Sequence, residues 1–282
     1  MNSTVRFTGY YGEGGSGMLQ FKVMGPLEVL HDGRDRTPTP PKVRQVLALL
    51  LLRANQVVAV DALIEEVWGE DPPLSAVGTM QTYIHQLRKL FERAGAQLMT
   101  KPPGYLLAAP PSQLDAHTFE MLSWQGRQLL DSGRPEQAGR VLRQALAMWT
   151  GPCLANVAPG RLLEAHAVHL EEQRMRTLEL RIQADAEIGL HRDLVGEMRS
   201  LVMSYPLNEW FHGQLIVALS RSGRRGEALQ AYQNLRELLC NQLGLEPQHD
   251  LQLLQREVLS SGIPESAVFR PYRRRLASVV AA

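Results

Sequence analysis

The sequence predicts a mainly helical protein with a small amount of β-structure, arranged as two domains. Its 282 residues suffice for two domains of about 100 to 200 residues each. Apolar residues alternate in two short stretches, whereas most of the remaining chain follows the period of a helix. In the second half, Gly189 and Gly223 are 34 residues apart, a period typical of stacked helix pairs. The small strands therefore belong to the first domain and the repeats to the second.

The first domain is predicted to begin with an antiparallel sheet. Residues 1–17 contain five glycines and no sustained apolar period, so they are expected to form a flexible leader. Leu19, Phe21 and Val23 then alternate with polar residues, and a second apolar group follows at residues 27–30. Turn residues separate the two groups, which favours short strands that pair with each other.

Three helices and a hairpin complete this domain. The helices are predicted at 42–52, at 61–68 with Asp61 as its cap, and from Ala76 to about Ala94 after the cap Ser75. A short β-branched run at 57–60 separates the first two, and 97–107 form a hairpin with its turn at 101–104. This order predicts a winged helix-turn-helix domain over residues 18–111, with the third helix in the recognition position and the hairpin as the wing.

The third helix has two different faces. One face is expected to lie in the core: Met80, Ile84, Leu87 and Phe91, flanked by Val77, Tyr83 and Leu90. The opposite face carries amides, a hydroxyl and cations, which suit base edges and phosphates. Its candidates for the major groove are Thr82, His85, Gln86 and Lys89, with Gln81 and Arg88 at the margins. The alternative is a solvated face that touches nothing.

Charge and wing position support a nucleic-acid partner. The whole chain has a formal charge of only +1, but residues 75–111 hold four basic side chains against one acidic side chain. So few charges predict weak binding by a single protomer, which favours two subunits on repeated half-sites. Lys101 at the wing tip is a candidate for the minor groove or an ordinary solvated lysine. Tyr105 is expected in the hairpin core.

The second domain, residues 112–262, is predicted to be an all-α repeat domain similar to tetratricopeptide (TPR) proteins. Residues 132–138 and 222–228 share a turn glycine that lies five residues before an alanine, and Gly189 begins a third such turn. An extra helix at 161–182 is expected between repeats. Stacked helix pairs present a concave surface for partners. Residues 263–282 form a basic tail, either a nucleic-acid arm or a disordered solubilising end.

Several motifs resemble one family of regulators. The sequences Gln81-Thr82-Tyr83-Ile84-His85-Gln86-Leu87-Arg88-Lys89-Leu90, Pro103-Gly104-Tyr105, Leu170-Glu171-Glu172-Gln173-Arg174 and Gln242-Leu243-Gly244-Leu245-Glu246-Pro247 occur in the order typical of the Streptomyces antibiotic regulatory protein (SARP) family. That family joins an OmpR-type winged helix to a bacterial transcriptional activation domain. The resemblance covers about nine-tenths of the chain.

The SARP resemblance implies a DNA-binding transcriptional activator of an antibiotic gene cluster. Such proteins bind direct repeats in promoter DNA as pairs of protomers and contact RNA polymerase. The resemblance implies that the loop before the third helix faces polymerase; here it consists of Glu70, Asp71, Pro72, Pro73 and Leu74. It also implies phosphate contacts for Lys42 and Arg44. The alternative is a TPR-type interaction scaffold without specific DNA binding.

Other function classes find little support. No convergent nucleophile, acid–base pair or metal set is evident, so neither an enzyme nor a cofactor is expected. His166 and His169 lack a third ligand, and Cys153 is expected to be a small buried residue. Two cysteines and the absence of a long apolar run predict a cytoplasmic protein, and the SARP resemblance implies that it acts at the nucleoid. The four tryptophans, Trp68, Trp124, Trp149 and Trp210, are expected in the core.

Overall fold

The computed structural model describes residues 19–91 and 96–260, which form two compact units. The first unit contains the described residues up to Met121 together with Ala145–Arg174. The second contains Leu122–Gln144 and the described residues from Met175 onward. Each unit therefore combines two separate stretches of the chain. The expected leader and basic tail lie outside the described residues.

A three-stranded antiparallel sheet opens the first unit, as the apolar alternation predicts. Its strands are β1 (Leu19–Lys22), β2 (Glu28–His31) and β3 (Arg34–Asp35), adjacent in that order. Phe21 pairs with Val29 across the first two strands, and both side chains are buried. Alternate residues of a strand point to the same face, so this face joins the core.

The predicted winged helix-turn-helix is confirmed. Its helices are α1 (Pro41–Leu52), α2 (Val60–Trp68) and α3 (Ala76–Phe91), and its further strands are β4 (Val57–Ala59), β5 (Gln97–Lys101) and β6 (Gly104–Ala108). The second sheet has the order β4-β6-β5, so the hairpin pairs with the strand between α1 and α2. α1 lies in the middle of this unit, and all its residues from Gln45 to Leu51 are buried.

The start of α2 differs from the prediction. α2 begins at Val60, and its cap position is Ala59, which makes no side-chain hydrogen bond. Asp61 lies in the first turn, where its negative charge favours the helix dipole. The end of α2 agrees with the sequence, because Gly69 adopts a φ of 66° that closes the helix. The expected end of α3 near Ala94 lies outside the described residues.

Long-range hydrogen bonds cross the domain boundary expected at residues 111/112. Asp115, at the start of α4 (Asp115–Asp131), accepts hydrogen bonds from the backbone N–H groups of Val23 and Met24 at 3.0 and 3.1 Å. Asn156 makes two bonds to the backbone of Leu27, at 2.7 and 3.1 Å. These long-range bonds attach segments beyond residue 111 to the N-terminal sheet, which local sequence patterns do not reveal.

The second unit is helical throughout its described residues. Besides parts of α4 and α6 (Arg161–Glu187), it contains α5 (Pro135–Leu146), α7 (His191–Ser204), α8 (Glu209–Arg221), α9 (Arg225–Leu243) and α10 (His249–Ser260). Apolar residues of α7, α8, α9 and α10 form one core. Phe211, Ile216 and Leu219 of α8 are almost fully buried in it. This arrangement agrees with the predicted stack of helix pairs.

Three glycine turns repeat the same geometry in the second unit. Gly133, Gly189 and Gly223 all have positive φ, at 71°, 83° and 79°. After each glycine, the next N–H donates to the carbonyl five residues before it: Arg134 to Leu129, Leu190 to Asp185, and Arg224 to Leu219. Positive φ is strained for residues with a side chain, so the turn requires glycine. The predicted repeat is therefore present in the backbone.

The long spacing between the first two turns has a different cause from the one expected. The helix expected at 161–182 is present as part of α6, but it is not an additional helix, because α5 and α6 form the one helix pair between these two turns. Instead, non-helical residues follow α5, and α6 is a single helix of 27 residues that runs on to the Gly189 turn. The first part of α6 belongs to the first unit, which explains its extra length.

A buried ion network joins three helices of the second unit. Arg181 of α6 is buried and donates to Asp185 at 3.1 Å and to Glu197 of α7 at 2.7 Å. Arg143 of α5 donates to the same Asp185 carboxylate. Each buried charge thus has a partner of opposite sign, which offsets the cost of removing it from water.

Two of the four tryptophans lie in the core as expected, whereas Trp68 is half-buried and Trp124 is exposed. Trp149 and Trp210 are buried, and Trp149 lies edge to face with Phe119 at 5.7 Å. Trp124 is 63% exposed on α4, so its expected place in the core is wrong. The helical period shows which residues share a face of α4 with Trp124, but not whether another element covers that face.

Among the described residues, no helix has the length and apolar character needed to cross a membrane.

Candidate nucleic-acid interface

The two faces of α3 are separated as the periodicity predicts. Met80, Ile84, Leu87 and Phe91 are buried, and Phe91 packs edge to face on Phe21 at 5.9 Å. Five polar residues on the other side are exposed: Gln81, Thr82, His85, Gln86 and Lys89. Val77 is an exception to the expected core set, since it is 53% exposed near the helix start. The buried stripe fixes the helix so that its polar face points outward.

The exposed face combines several kinds of hydrogen-bonding group. Gln81 and Gln86 each offer a donor and an acceptor, which matches the edge of adenine in a major groove. The hydroxyl of Thr82 donates to the carbonyl of Gly78 at 3.1 Å and retains its acceptor capacity. Lys89 adds a positive charge in the last turn of the helix. Both base edges and phosphates can therefore be contacted from one face.

Arg88 is engaged with the wing. Its Nε donates to the carbonyl of Leu98 at 3.0 Å, and its Nη2 donates to the hydroxyl of Thr100 at 2.6 Å. The guanidinium also lies 5.9 Å from the centre of the Tyr105 ring. These contacts tie the end of α3 to β5 and β6. The helical pattern does not indicate these contacts, because the hairpin supplies the acceptors.

The wing itself is anchored by a close backbone approach. β6 pairs with β4 so that Gly104 faces Ala59, and a Cβ atom at Gly104 would lie 1.8 Å from the carbonyl oxygen of Val58. Only glycine fits at this position. Tyr105 is buried in the hairpin core, as predicted, while Lys101 is exposed at the hairpin turn. Lys101 therefore projects from a hairpin that the close approach of Gly104 to β4 holds in place.

Lys42 and Arg44 occupy different environments on α1. The exposed Lys42 ammonium lies 4.8 Å from the centre of the Trp68 ring, and that ring stacks on Tyr83 of α3 at 6.2 Å. The cation and the two rings connect α1, α2 and α3. Arg44 is half-buried, and its Nε has no hydrogen-bond partner among the described residues.

The loop between α2 and α3 is exposed along its whole length. Its residues are Glu70, Asp71, Pro72, Pro73 and Leu74. The Leu74 side chain is fully exposed, and Val77 lies exposed one turn further along the chain. Two acidic groups therefore stand next to two exposed apolar side chains. Exposed apolar groups rimmed by charge are typical of protein-binding surfaces.

Sequence patterns missed the role of Glu66. Its buried carboxylate accepts hydrogen bonds from the N–H groups of Gly160 at 2.6 Å and Leu162 at 2.8 Å, at the start of α6. Its own carbonyl accepts a bond from the Gln45 side chain at 2.6 Å. Glu66 thus joins α1, α2 and α6. The capping partner lies 94 residues away, so no local signal identifies it.

Two family models match the chain. Residues 34–107 match "Transcriptional regulatory protein, C terminal", and residues 114–259 match "Bacterial transcriptional activator domain". The regulatory protein DnrI of Streptomyces peucetius is 40% identical over 250 residues, which cover 86% of this chain and 92% of DnrI. The regulator RedD of Streptomyces coelicolor is 31% identical over 91% of this chain and 76% of RedD.

Some similar proteins are much longer. The regulatory protein AfsR of Streptomyces coelicolor is 35% identical over 87% of this chain, but the match spans only 25% of AfsR. A solved structure of Mycobacterium tuberculosis EmbR in complex with a low-affinity phosphopeptide has a TM-score of 0.83 and 34% identity. That match covers 86% of this chain and 65% of the EmbR chain.

Proposed function

Because the chain belongs to the SARP family of transcriptional regulators, we propose that it binds specific promoter DNA and activates an antibiotic or other secondary-metabolite gene cluster. The exposed polar face of α3 beside the wing is the observation that carries this proposal. An enzyme activity is not proposed, since the named relatives are transcriptional regulators.

The proposed major-groove contacts are Gln81, Thr82, His85, Gln86 and Lys89. They lie within two and a half turns of α3, a length of about 13 Å that is close to the width of one major groove, about 12 Å. Lys101 is proposed to enter the adjacent minor groove from the wing. Lys42 and Arg44 are proposed as phosphate contacts. Arg88 is proposed as a positioning residue, because its hydrogen bonds fix the wing relative to α3.

Two protomers are proposed to bind direct repeats in the promoter. Few cations lie near α3 and the wing, so one protomer neutralises few phosphates and gains little non-specific affinity. A second protomer on an adjacent repeat adds its binding energy to the first and raises specificity. The assembly is proposed as a homodimer on DNA, acting at the nucleoid.

RNA polymerase holoenzyme is the proposed protein partner of the loop at residues 70–74. Support comes from the exposure of its acidic residues, Glu70 and Asp71, beside the exposed Leu74. Changing Leu74→Ala should leave promoter affinity unchanged and reduce transcription from that promoter in a purified system. An equal loss of DNA binding and transcription would contradict a separate polymerase contact.

Footprinting of the purified chain on promoter DNA from its own genomic neighbourhood tests the main proposal. We expect protection of two direct repeats, with two protomers bound and competition by the unlabelled site at least about tenfold stronger than by unrelated DNA. Equal competition by both DNAs would overturn the proposal and favour the interaction scaffold. Measuring stoichiometry on half-site and full-site fragments separates weak binding by one protomer from the absence of specific binding.

A further inference from the structure

A cavity of about 350 Å³ lies within the first unit, away from the polar face of α3. Its walls come from the end of α1, the residues that follow α1, the segment between β6 and α4, and the middle of α6. The cavity is open to solvent, since Asn55, Gln56 and Glu120 in its lining are exposed, and its volume lies at the lower end of the range for ligand sites, which begins at about 300 Å³. The size of this cavity therefore suits a small molecule.

The cavity is walled mainly by apolar side chains. They include Leu51, Leu52, Leu114, Leu170, Pro110 and Pro111. Hydrogen-bonding groups lie among them: the imidazoles of His117, His166 and His169, the Gln56 amide and the Glu120 carboxylate. Asn55 also lines the cavity, but its side chain is used in two bonds to the backbone of Ala109. A ligand with an apolar body and a few polar groups fits such a lining.

His166 is a hydrogen-bond donor in this setting. Burial and the neighbouring Arg53 cation lower the pKa of His166, so its ring is neutral at neutral pH. Arg53 Nε donates to its Nε2 at 3.3 Å. A neutral ring that accepts at Nε2 carries its proton on Nδ1. The proton on Nδ1 is available to a carbonyl or hydroxyl oxygen.

A metal ion does not fit the described residues. No group of three or more His, Cys, Asp or Glu side chains among them is arranged to hold one, although three histidines line this cavity. Glu120 is the acidic side chain among the described lining residues, and it is exposed. Glu120 and the nearby Arg53 carry opposite charges, so together they provide no net charge to balance that of an ionic ligand. The electrostatics favour an uncharged ligand.

We propose that this cavity binds a small, uncharged, largely apolar molecule whose hydroxyl or carbonyl group hydrogen-bonds to His117 or His166. The ligand would contact α1, which lies in the centre of the DNA-binding module, and α6, which carries the end held by Glu66. The proposed site is distinct from the DNA surface and does not depend on DNA binding.

Binding of 2-naphthol to the full chain, without DNA, tests the proposal by calorimetry. We expect saturable binding of one molecule per chain. Changing Ala54→Trp should fill the cavity and abolish binding, and His117→Leu with His166→Leu should weaken it at least about tenfold by removing hydrogen bonds. The matched control His249→Leu, on the exposed surface of α10, should change nothing.

Two further comparisons decide the chemistry. Naphthalene, which lacks the hydroxyl, should bind at least about tenfold more weakly than 2-naphthol. Equal affinity for both compounds would overturn the role of the histidines. No saturable binding, or binding that Ala54→Trp leaves unchanged, would overturn the site itself. If Ala54→Trp fails to fold by circular dichroism, the histidine variants and the His249 control still decide the outcome.

Discussion

Glu66 accepts a hydrogen bond of 2.6 Å from the backbone N–H of Gly160, and this contact places a helix of the winged module at the start of α6. A Cβ atom at residue 160 would lie 2.3 Å from the carbonyl oxygen of Glu66, so glycine is required for the approach. The carboxylate supplies the cap that the free N–H groups of α6 need. One acidic residue therefore fixes two segments that are distant in sequence.

Changing Glu66→Gln should destabilise the protein by about 2–4 kcal/mol. The amide replaces one acceptor oxygen by an NH2 group that faces the N–H donors of Gly160 and Leu162, and those donors remain buried. Chemical denaturation measures the change. The matched control is Glu65→Gln, whose carboxylate makes an exposed ion pair with Arg161 and should contribute at most about 1 kcal/mol. Similar losses in both variants would contradict the capping role.

The double change His85→Ala and Lys89→Ala should weaken binding to a specific promoter fragment about 10- to 100-fold. Both side chains lie on the exposed face of α3, and a lost base contact costs about 1–3 kcal/mol. Gel-shift titration measures the effect. Lys22→Ala, which removes the same charge from the N-terminal sheet, serves as the control and should leave affinity nearly unchanged. Unaltered affinity in the double variant would show that the site is assigned incorrectly.

Arg88→Lys should reduce promoter affinity about tenfold and stability by about 1–2 kcal/mol, although the charge is retained. Lysine cannot make the two hydrogen bonds that join the guanidinium to Leu98 and Thr100. Arg88→Ala should have an effect of the same size, because both variants release the wing. Full DNA affinity in the lysine variant, with a loss in the alanine variant, would instead indicate a direct phosphate contact. Thermal unfolding and gel-shift titration together distinguish the two roles.

Much of the α3 surface was predictable because its cause is local. The 3.6-residue period places Met80, Ile84 and Leu87 on one side, and their burial leaves the polar side exposed. The turn glycines were predictable for the same reason, since positive φ at Gly133 or Gly223 is a property of a few adjacent residues. In each case a short stretch of sequence contains the whole explanation.

Other features depend on partners far along the chain. Arg88 faces the wing because the carbonyl of Leu98 lies beside it, and Glu66 is buried because α6 begins there. Trp124 is exposed although its helix pattern resembles that of a core residue. Periodicity describes how residues share a helix face, but it does not say which faces other elements cover.

The two cysteines should differ strongly in reactivity. Burial, with smaller contributions from Glu171 and Asp115, raises the pKa of Cys153 to about 12, so almost no thiolate exists at neutral pH. Cys240 is exposed. Iodoacetamide at about pH 8 should therefore alkylate Cys240 and leave Cys153 unmodified, as mass spectrometry of peptides would show. The variant Cys240→Ser should take up no label until the protein is unfolded. Rapid labelling of that variant in its native state would contradict the raised pKa of Cys153, which is half-buried and not fully buried as expected.

Acid should destabilise the second unit in part through His212. Burial lowers the pKa of His212, whose Nε2 lies 2.9 Å from the carbonyl oxygen of Pro206. Below about pH 6.5 the unfolded chain binds a proton that the folded chain resists, so this contribution to stability is present above that pH and is lost as the pH falls. His212→Gln should make the thermal midpoint depend less on pH between about 7 and 5. His249→Gln, at an exposed site, should leave the slope unchanged.

The first compact unit is assembled from two separated stretches of chain, residues up to Met121 and Ala145–Arg174. An exchange of its winged-helix elements between relatives therefore also has to preserve the contacts that the second stretch makes with them. A chimera that replaces residues 18–111 alone combines a foreign winged helix with native Asp115, Asn156 and Gly160. In the native chain these three residues are hydrogen-bonded to Val23, Leu27 and Glu66, respectively. Recombination between regulators of this architecture is constrained to preserve those pairs, whereas point substitutions on the outer face of α3 leave all of them intact.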